Sequence, residues 1–118
     1  LNLKQLIANT PYSTQKRENF VLEEHFRFIL KNIFYLCGYD ISEEKQVAAG
    51  RIDLVAKSDT IIYIMELKMN DEGGVKSATR QIATRHYADS YAASDKRVIC
   101  MALEFGRDSR GLERWAVI

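Results

Sequence analysis

The run from Thr60 to Met69, TIIYIMELKM, constrains the fold more than any other part of this chain. A near-continuous apolar run of strand length, rich in Ile and aromatic residues, reads as a strand buried on both faces. Such a strand needs a layer of helices on each side, which is the α/β arrangement. Yet the run closes on Glu66 and Lys68, and the preceding run RIDLVAKS carries Asp53. A charge inside a buried strand is costly unless something pairs with it.

The rest of the chain supplies the layers. Leu22, Phe26, Ile29, Ile33 and Leu36 recur at helical spacing between about Glu18 and Cys37, with Gly38 placed to cap the end. Val21, Phe28 and Tyr35 draw a second apolar line, so this helix is expected to be covered on both sides. DISEEKQVAAG reads as a polar first strand, followed by RIDLVAKS and TIIYIMELKM. NDEGG is a loop, and Val75 to about Ala93 is a second helix without Pro or internal Gly. KRVICMALEF is a buried strand, GRDSRG a turn and LERWAVI a last strand. The order α-β-β-β-α-β-β predicts a central mixed sheet flanked by helices. Residues 1–17, broken at NTPYS, read as an arm or linker, and residues 18–118 as one domain.

Composition bounds the function. The chain has 118 residues with 47% hydrophobic and 28% charged side chains, enough for one core. A net charge of +1 excludes a strongly basic nucleic-acid-binding coat but leaves room for a local patch. Cys37 and Cys100 form no CxxC pair, which argues against zinc; both are expected as buried thiols of a cytoplasmic protein. No apolar run is long enough to span a membrane, and no signal peptide is visible. The chain starts at Leu1 rather than Met, as a piece of a longer protein would.

The strand pair brings the charges together. With Ser58-Asp59 as a two-residue turn, Asp53 opposes Ile64 and shares a face with Glu66 and Lys68, because side chains alternate along a strand. Asp53 and Glu66 are then diagonal neighbours, roughly 7–8 Å apart at the backbone. A four-residue loop preserves the facing; a three-residue loop destroys it. Two carboxylates so close repel unless a cation lies between them. Lys68 could provide the charge, and a hard divalent ion, Mg²⁺ or Mn²⁺, would do so better with oxygen donors and no His or Cys.

Asp53 followed by Glu66-Leu67-Lys68 at the end of a hydrophobic strand resembles the PD-(D/E)XK nuclease superfamily, which has the restriction-endonuclease-like fold. The segments GRIDLV, IYIMELK, ATRQIATRHYADSY, VICMALEF and RWAVI carry the resemblance, over roughly Glu23 to Ile118. They are most similar to a bacterial subgroup whose domain follows an AAA-ATPase-like module. The resemblance implies a metal-dependent nuclease acting on nucleic acid, DNA in the first place. It implies metal ligation by Asp53, Glu66 and the carbonyl of Leu67. It also implies that Lys68 orients or deprotonates the attacking water, and that Gln81 holds water, Lys68 or a phosphate oxygen. An acid on the first helix is expected as well. Helical angles put Glu24 in the Val21–Phe28 band and Glu23 at the edge of the other stripe, so Glu24 is the expected ligand. Ile52 stands where the family name has Pro.

Arg51, Arg80 and Arg85 are candidate phosphate contacts, against the ordinary reading of solvated arginines. His25 and His86 read as packing or surface residues, Tyr87, Tyr91 and Trp115 as core, and Glu43 and Glu44 as solvent-exposed. Gly73-Gly74 lacks the spacing of a phosphate-binding loop. A homodimer is a further expectation from the resemblance, since many relatives cut one strand per site. The alternative is a catalytically silent nucleic-acid- or protein-binding module beside an ATPase domain. A plain structural α/β domain would require Asp53 and Glu66 on opposite faces.

Overall fold

The computed structural model describes residues 12–47 and 50–118. Helix α1 (Tyr12–Leu36) is followed by strands β1 (Asp40–Val47), β2 (Gly50–Lys57) and β3 (Ile61–Met69). A short 3₁₀ turn (Asn70–Glu72) leads into α2 (Gly74–Arg85), a second 3₁₀ segment (Tyr87–Tyr91), β4 (Arg97–Phe105) and β5 (Leu112–Val117). The five strands form one sheet in sequential order; only β3 and β4 run parallel. Connecting parallel neighbours requires a crossover, and α2 provides it. This is the α/β, restriction-endonuclease-like arrangement expected from the element order. The expected arm begins outside the described residues, and α1 is already helical at Tyr12.

The sheet separates two cores. On one face Phe26 of α1 packs with Leu54, Met65, Leu67, Leu103 and Phe105. On the other, Ala78 and Ile82 of α2 and Tyr87 pack with Ile62, Ile64 and Ala102. Alternation along β3 sends Ile62 and Ile64 to the α2 side and Met65, Leu67 and Met69 to the α1 side. Both faces are covered, as the apolar run requires.

Local chemistry ends each helix. Gly38, at φ 90°, lies just beyond α1. The Gly38 N–H donates to Tyr35 O and the Tyr39 N–H to Phe34 O, both at 3.0 Å, the paired bonds of a Schellman stop. The Phe34 and Tyr39 rings, 5.2 Å apart, add its usual apolar contact. The carboxylate of buried Glu104 caps α2 from β4, accepting from the Val75 N–H at 2.9 Å. Asn19 ties α1 to the turn after β3, donating to Asp71 Oδ1 at 2.8 Å and Glu72 Oε1 at 3.1 Å.

Several expectations are corrected. Val21, Phe28 and Tyr35 are 61–70% exposed, and Ile29, Ile33 and Leu36 also face outward, because the sheet covers only the α1 stripe built on Leu22, Phe26, Leu30 and Phe34. Trp115 is 63% exposed, since β5 is an edge strand and neither helix covers that position. Cys37 is exposed and Cys100 buried. The second helix stops at Arg85: His86 adopts a left-handed conformation, φ 50°, and a 3₁₀ segment replaces the expected helix to Ala93.

Gly74 is a direct test of how α2 is anchored. Its φ is +54°, and a Cβ there would overlap the Glu104 carboxylate that caps the helix. Gly74→Ala is expected to lower stability by about 1–3 kcal/mol, read as a lower urea midpoint with unchanged m-value.

Candidate active site

The β2–β3 ladder runs from Lys57 opposite Ile62 to Leu54 opposite Met65. The Ser58 N–H donates to Ile61 O at 2.9 Å, closing a turn with Asp59 and Thr60 at its tip. The turn is one residue later than Ser58-Asp59, so the register moves by two and facing is preserved. Continued one step, it sets Asp53 level with Glu66 rather than with Ile64. The ladder stops there, and the carboxylate of Asp53 intervenes: Oδ2 accepts from the Leu67 N–H at 2.9 Å. The β1–β2 ladder also omits the Glu44–Asp53 step, where Glu44 has φ 47°. Asp53 thus occupies a fork in the sheet. In an extended strand one residue's N–H and C=O point to the same edge, so the Leu67 carbonyl opens on that fork.

Glu66 enters from the α2 side of β3 and is 3% exposed. Its Oε1 accepts from Gln81 Nε2 at 2.6 Å; its Oε2 is buried without a hydrogen-bond partner. Gln81, half-buried, lies about two turns into α2, next to buried Ile82. Gln81 Nε2 also donates to Tyr87 Oη at 3.0 Å, and Tyr87 donates to the Arg51 carbonyl at 3.0 Å. A fully buried tyrosine thereby orients the glutamine and ties α2 to β2. Burial raises the Glu66 carboxyl from the ordinary 4.5 to about 8, with the negative charge of Asp53 adding and Lys68 opposing.

Helix α1 brings Glu23 rather than Glu24 toward these charges. Burial first, then the charges of Asp53 and Glu72, raise Glu23 from 4.5 to about 7, while Lys68 and Arg27 pull it back. Glu24 is half-exposed and pairs with Arg27 one turn on. The apolar band that favoured Glu24 is the solvent side of α1, which corrects the expectation of an inward Glu24. Arg27, itself buried, also reaches Glu44 at 3.4 Å and Asp53 Oδ1 at 3.5 Å.

Asp53, Glu66, Leu67, Lys68 and Gln81 are brought together; the three arginines are not. Arg51 is exposed and lies 3.9 Å from Glu44. Arg80 is exposed on α2. Arg85 lies over Gly50, with Nη1 at 3.5 Å from Tyr87 Oη. Sequence reasoning ranked Glu23 behind Glu24, and missed Arg27 and the Tyr87 hydroxyl. A signal existed for Glu23 and Arg27: Asn19, Glu23 and Arg27 recur every four residues, a polar stripe beside the apolar Leu22–Phe26–Leu30 line.

A sequence model of the PD-(D/E)XK nuclease superfamily matches residues 21–115. The chain belongs to this superfamily. Superfamily membership points to nuclease-type chemistry on phosphodiesters. The chain is also 27% identical, over 95 residues, to an uncharacterised protein encoded in the vnfD 5′ region of Azotobacter chroococcum mcd 1. That match covers 80% of this chain but 18% of the relative's length.

PD-(D/E)XK nucleases use divalent metal ions, and the donor set here suits one. Asp53, Glu66 and the Leu67 carbonyl are hard oxygens at one fork, and the orphaned Glu66 Oε2 lacks a partner that a cation would supply. Among the described residues no three His, Cys, Asp or Glu side chains form a cage. Mg²⁺ requires none, because it keeps several waters and binds through one or two carboxylates.

The raised carboxyls make the metal-free protein pH-sensitive. The unfolded chain releases the Glu66 proton near pH 4.5, whereas the folded chain holds it to about 8. Stability from this group is fully present below 4.5 and is lost as pH rises through that window. Urea unfolding in chelator is expected to show a midpoint falling from pH 5 to pH 8, with a flatter profile in Glu66→Gln.

Proposed function

We propose that this domain is a metal-dependent nuclease that hydrolyses phosphodiester bonds, with DNA as its first candidate substrate and Mg²⁺ or Mn²⁺ as cofactor. The observation that carries the reading is Glu66: a carboxylate buried in a sheet, with one oxygen unpartnered, beside Asp53 and Lys68. Such a group lowers the stability of the empty fold and is understandable where a cation is to bind.

In this reading Asp53, Glu66 and the Leu67 carbonyl hold the ion, and Glu23 takes the part first expected of Glu24. When bound, the ion supplies a Lewis acid at the scissile phosphate and lowers the pKa of the attacking water. Lys68, half-buried beside Glu66, orients or deprotonates that water and offsets charge developing on phosphate. Gln81 holds the Glu66 carboxylate in place, and Tyr87 holds Gln81. Exposed Arg51, Arg80 and Arg85 are available to the nucleic-acid backbone, the contacts that position without reading sequence. An ATPase-like domain in a longer protein, a homodimer and a cytoplasmic setting belong to the same proposal. The greater length of the Azotobacter relative fits a longer protein around this domain and says nothing of what the added length folds into. For the membrane, no helix among the described residues is long and apolar enough to cross one.

The test is cleavage of plasmid, single-stranded DNA and RNA with Mn²⁺ or Mg²⁺. Asp53→Ala and Lys68→Ala are each expected to lose about a hundredfold or more in rate with unchanged circular dichroism. Equal cutting by all three proteins would sink the assignment. Absence of divalent-metal binding by calorimetry, with the domain folded, would favour the silent binding module, for which the net charge of +1 speaks. In the same assay Glu23→Gln is expected to cost about tenfold more than Glu24→Gln.

A further inference from the structure

Arg27 has no part in the chemistry above, yet it is among the few buried charged residues of the described chain. Its side chain is 10% exposed, and a guanidinium is almost never buried unless paired. It faces acids from three elements: Glu24 of its own helix, Glu44 of β1 and Asp53 of β2. The sheet is irregular where it meets Arg27. Glu44 is left-handed there and the β1–β2 ladder skips its step with Asp53. The two oxygens of Asp53 are also treated differently. Oδ2 is held by the Leu67 N–H at 2.9 Å, while Oδ1 faces Arg27 Nη1 at 3.5 Å, a long charge contact. A guanidinium has five donors, so it can keep Glu24 and Glu44 while releasing Asp53.

We propose that Arg27 is the resident counter-cation of this site, a positioning residue that holds Asp53 Oδ1 in the metal-free protein and competes with a divalent ion for it. This rests on the metal-site reading given above. Opposite charge at the fork lets Asp53 and Glu66 sit close before any ion arrives. The same charge opposes the incoming cation, which must displace Arg27 from Asp53. A purely structural ion pair between α1 and the sheet would alter stability and leave ion affinity alone.

The test uses the whole chain as wild type, Arg27→Met and Arg27→Lys, titrated with Mn²⁺ by calorimetry and melted with and without Mn²⁺. Arg27→Met keeps most of the aliphatic stem and removes the charge. It is expected to melt lower without the ion, to bind Mn²⁺ about threefold to tenfold more tightly, and to gain more in Tm from the ion than wild type. Arg27→Lys is expected to stay within about twofold of the wild-type Kd. Equal or weaker Mn²⁺ binding by Arg27→Met overturns the proposal while leaving the metal site standing. Should Arg27→Met fail to fold, the wild-type chain decides. The Arg27 Nε–H resonance is followed during Mg²⁺ titration and is expected to move with the same midpoint as the Leu67 amide. A moving Leu67 with a stationary Arg27 overturns the proposal. Absence of ion binding by wild type in both experiments overturns the metal site and this proposal together.

Discussion

Beyond the step at which Leu54 faces Met65 the β2–β3 pairing ends, and the Asp53 carboxylate takes the Leu67 N–H. In a continued ladder that N–H would belong to the Ile52 carbonyl. One side chain thus opens the sheet and satisfies the donor that the opening would orphan, which keeps the fork affordable in a buried setting. Everything at the site follows from that fork. It turns the Leu67 carbonyl edge toward the opening, sets Asp53 level with Glu66, and admits Arg27 from α1 and Gln81 from α2.

The electrostatics of the fork are unbalanced without an ion. Asp53, Glu66 and Glu23 crowd together, opposed by Lys68 and Arg27. Burial is the largest cause raising both glutamates, so desolvation outweighs the nearby cations and protons are retained toward neutral pH. The rest of the molecule compensates with apolar packing on both faces of β3 and with specific ties: Glu104 on the α2 N-terminus, Asn19 on the turn after β3, Tyr87 between Gln81 and Arg51. Each tie holds an element that delivers a site residue, so strain at the fork is met by rigidity around it.

The strands and the two-layer cover were legible because β3 leaves no alternative. Ile62, Ile64, Met65 and Leu67 are apolar on both faces and demand helices on both sides. The acid pair was legible for the same reason, since Glu66 interrupts a run that otherwise excludes charge. The turn was misplaced by one residue without harm, because a register change of two leaves every side chain on its face. Helix faces were harder. On α1, nearly every position from Phe20 to Leu36 that is not charged is apolar, so periodicity alone admitted two stripes. The stripe chosen for Glu24 lies on the exposed side. Trp115 was read as core, but β5 is an edge strand that neither helix reaches at that position.

By itself, the sequence determined the element order, the doubly covered strand, and the presence of Asp53, Glu66 and Lys68 on adjoining strands, since hydrophobic period and residue type are local properties. Only the tertiary structure decided which glutamate of α1 turns inward, that Arg27 meets Asp53, and that the Tyr87 hydroxyl anchors Gln81 to the Arg51 carbonyl. Those depend on the rotation of a helix against the sheet and on a break at residue 86. Packing against distant residues sets both, and no window of neighbouring residues contains that information.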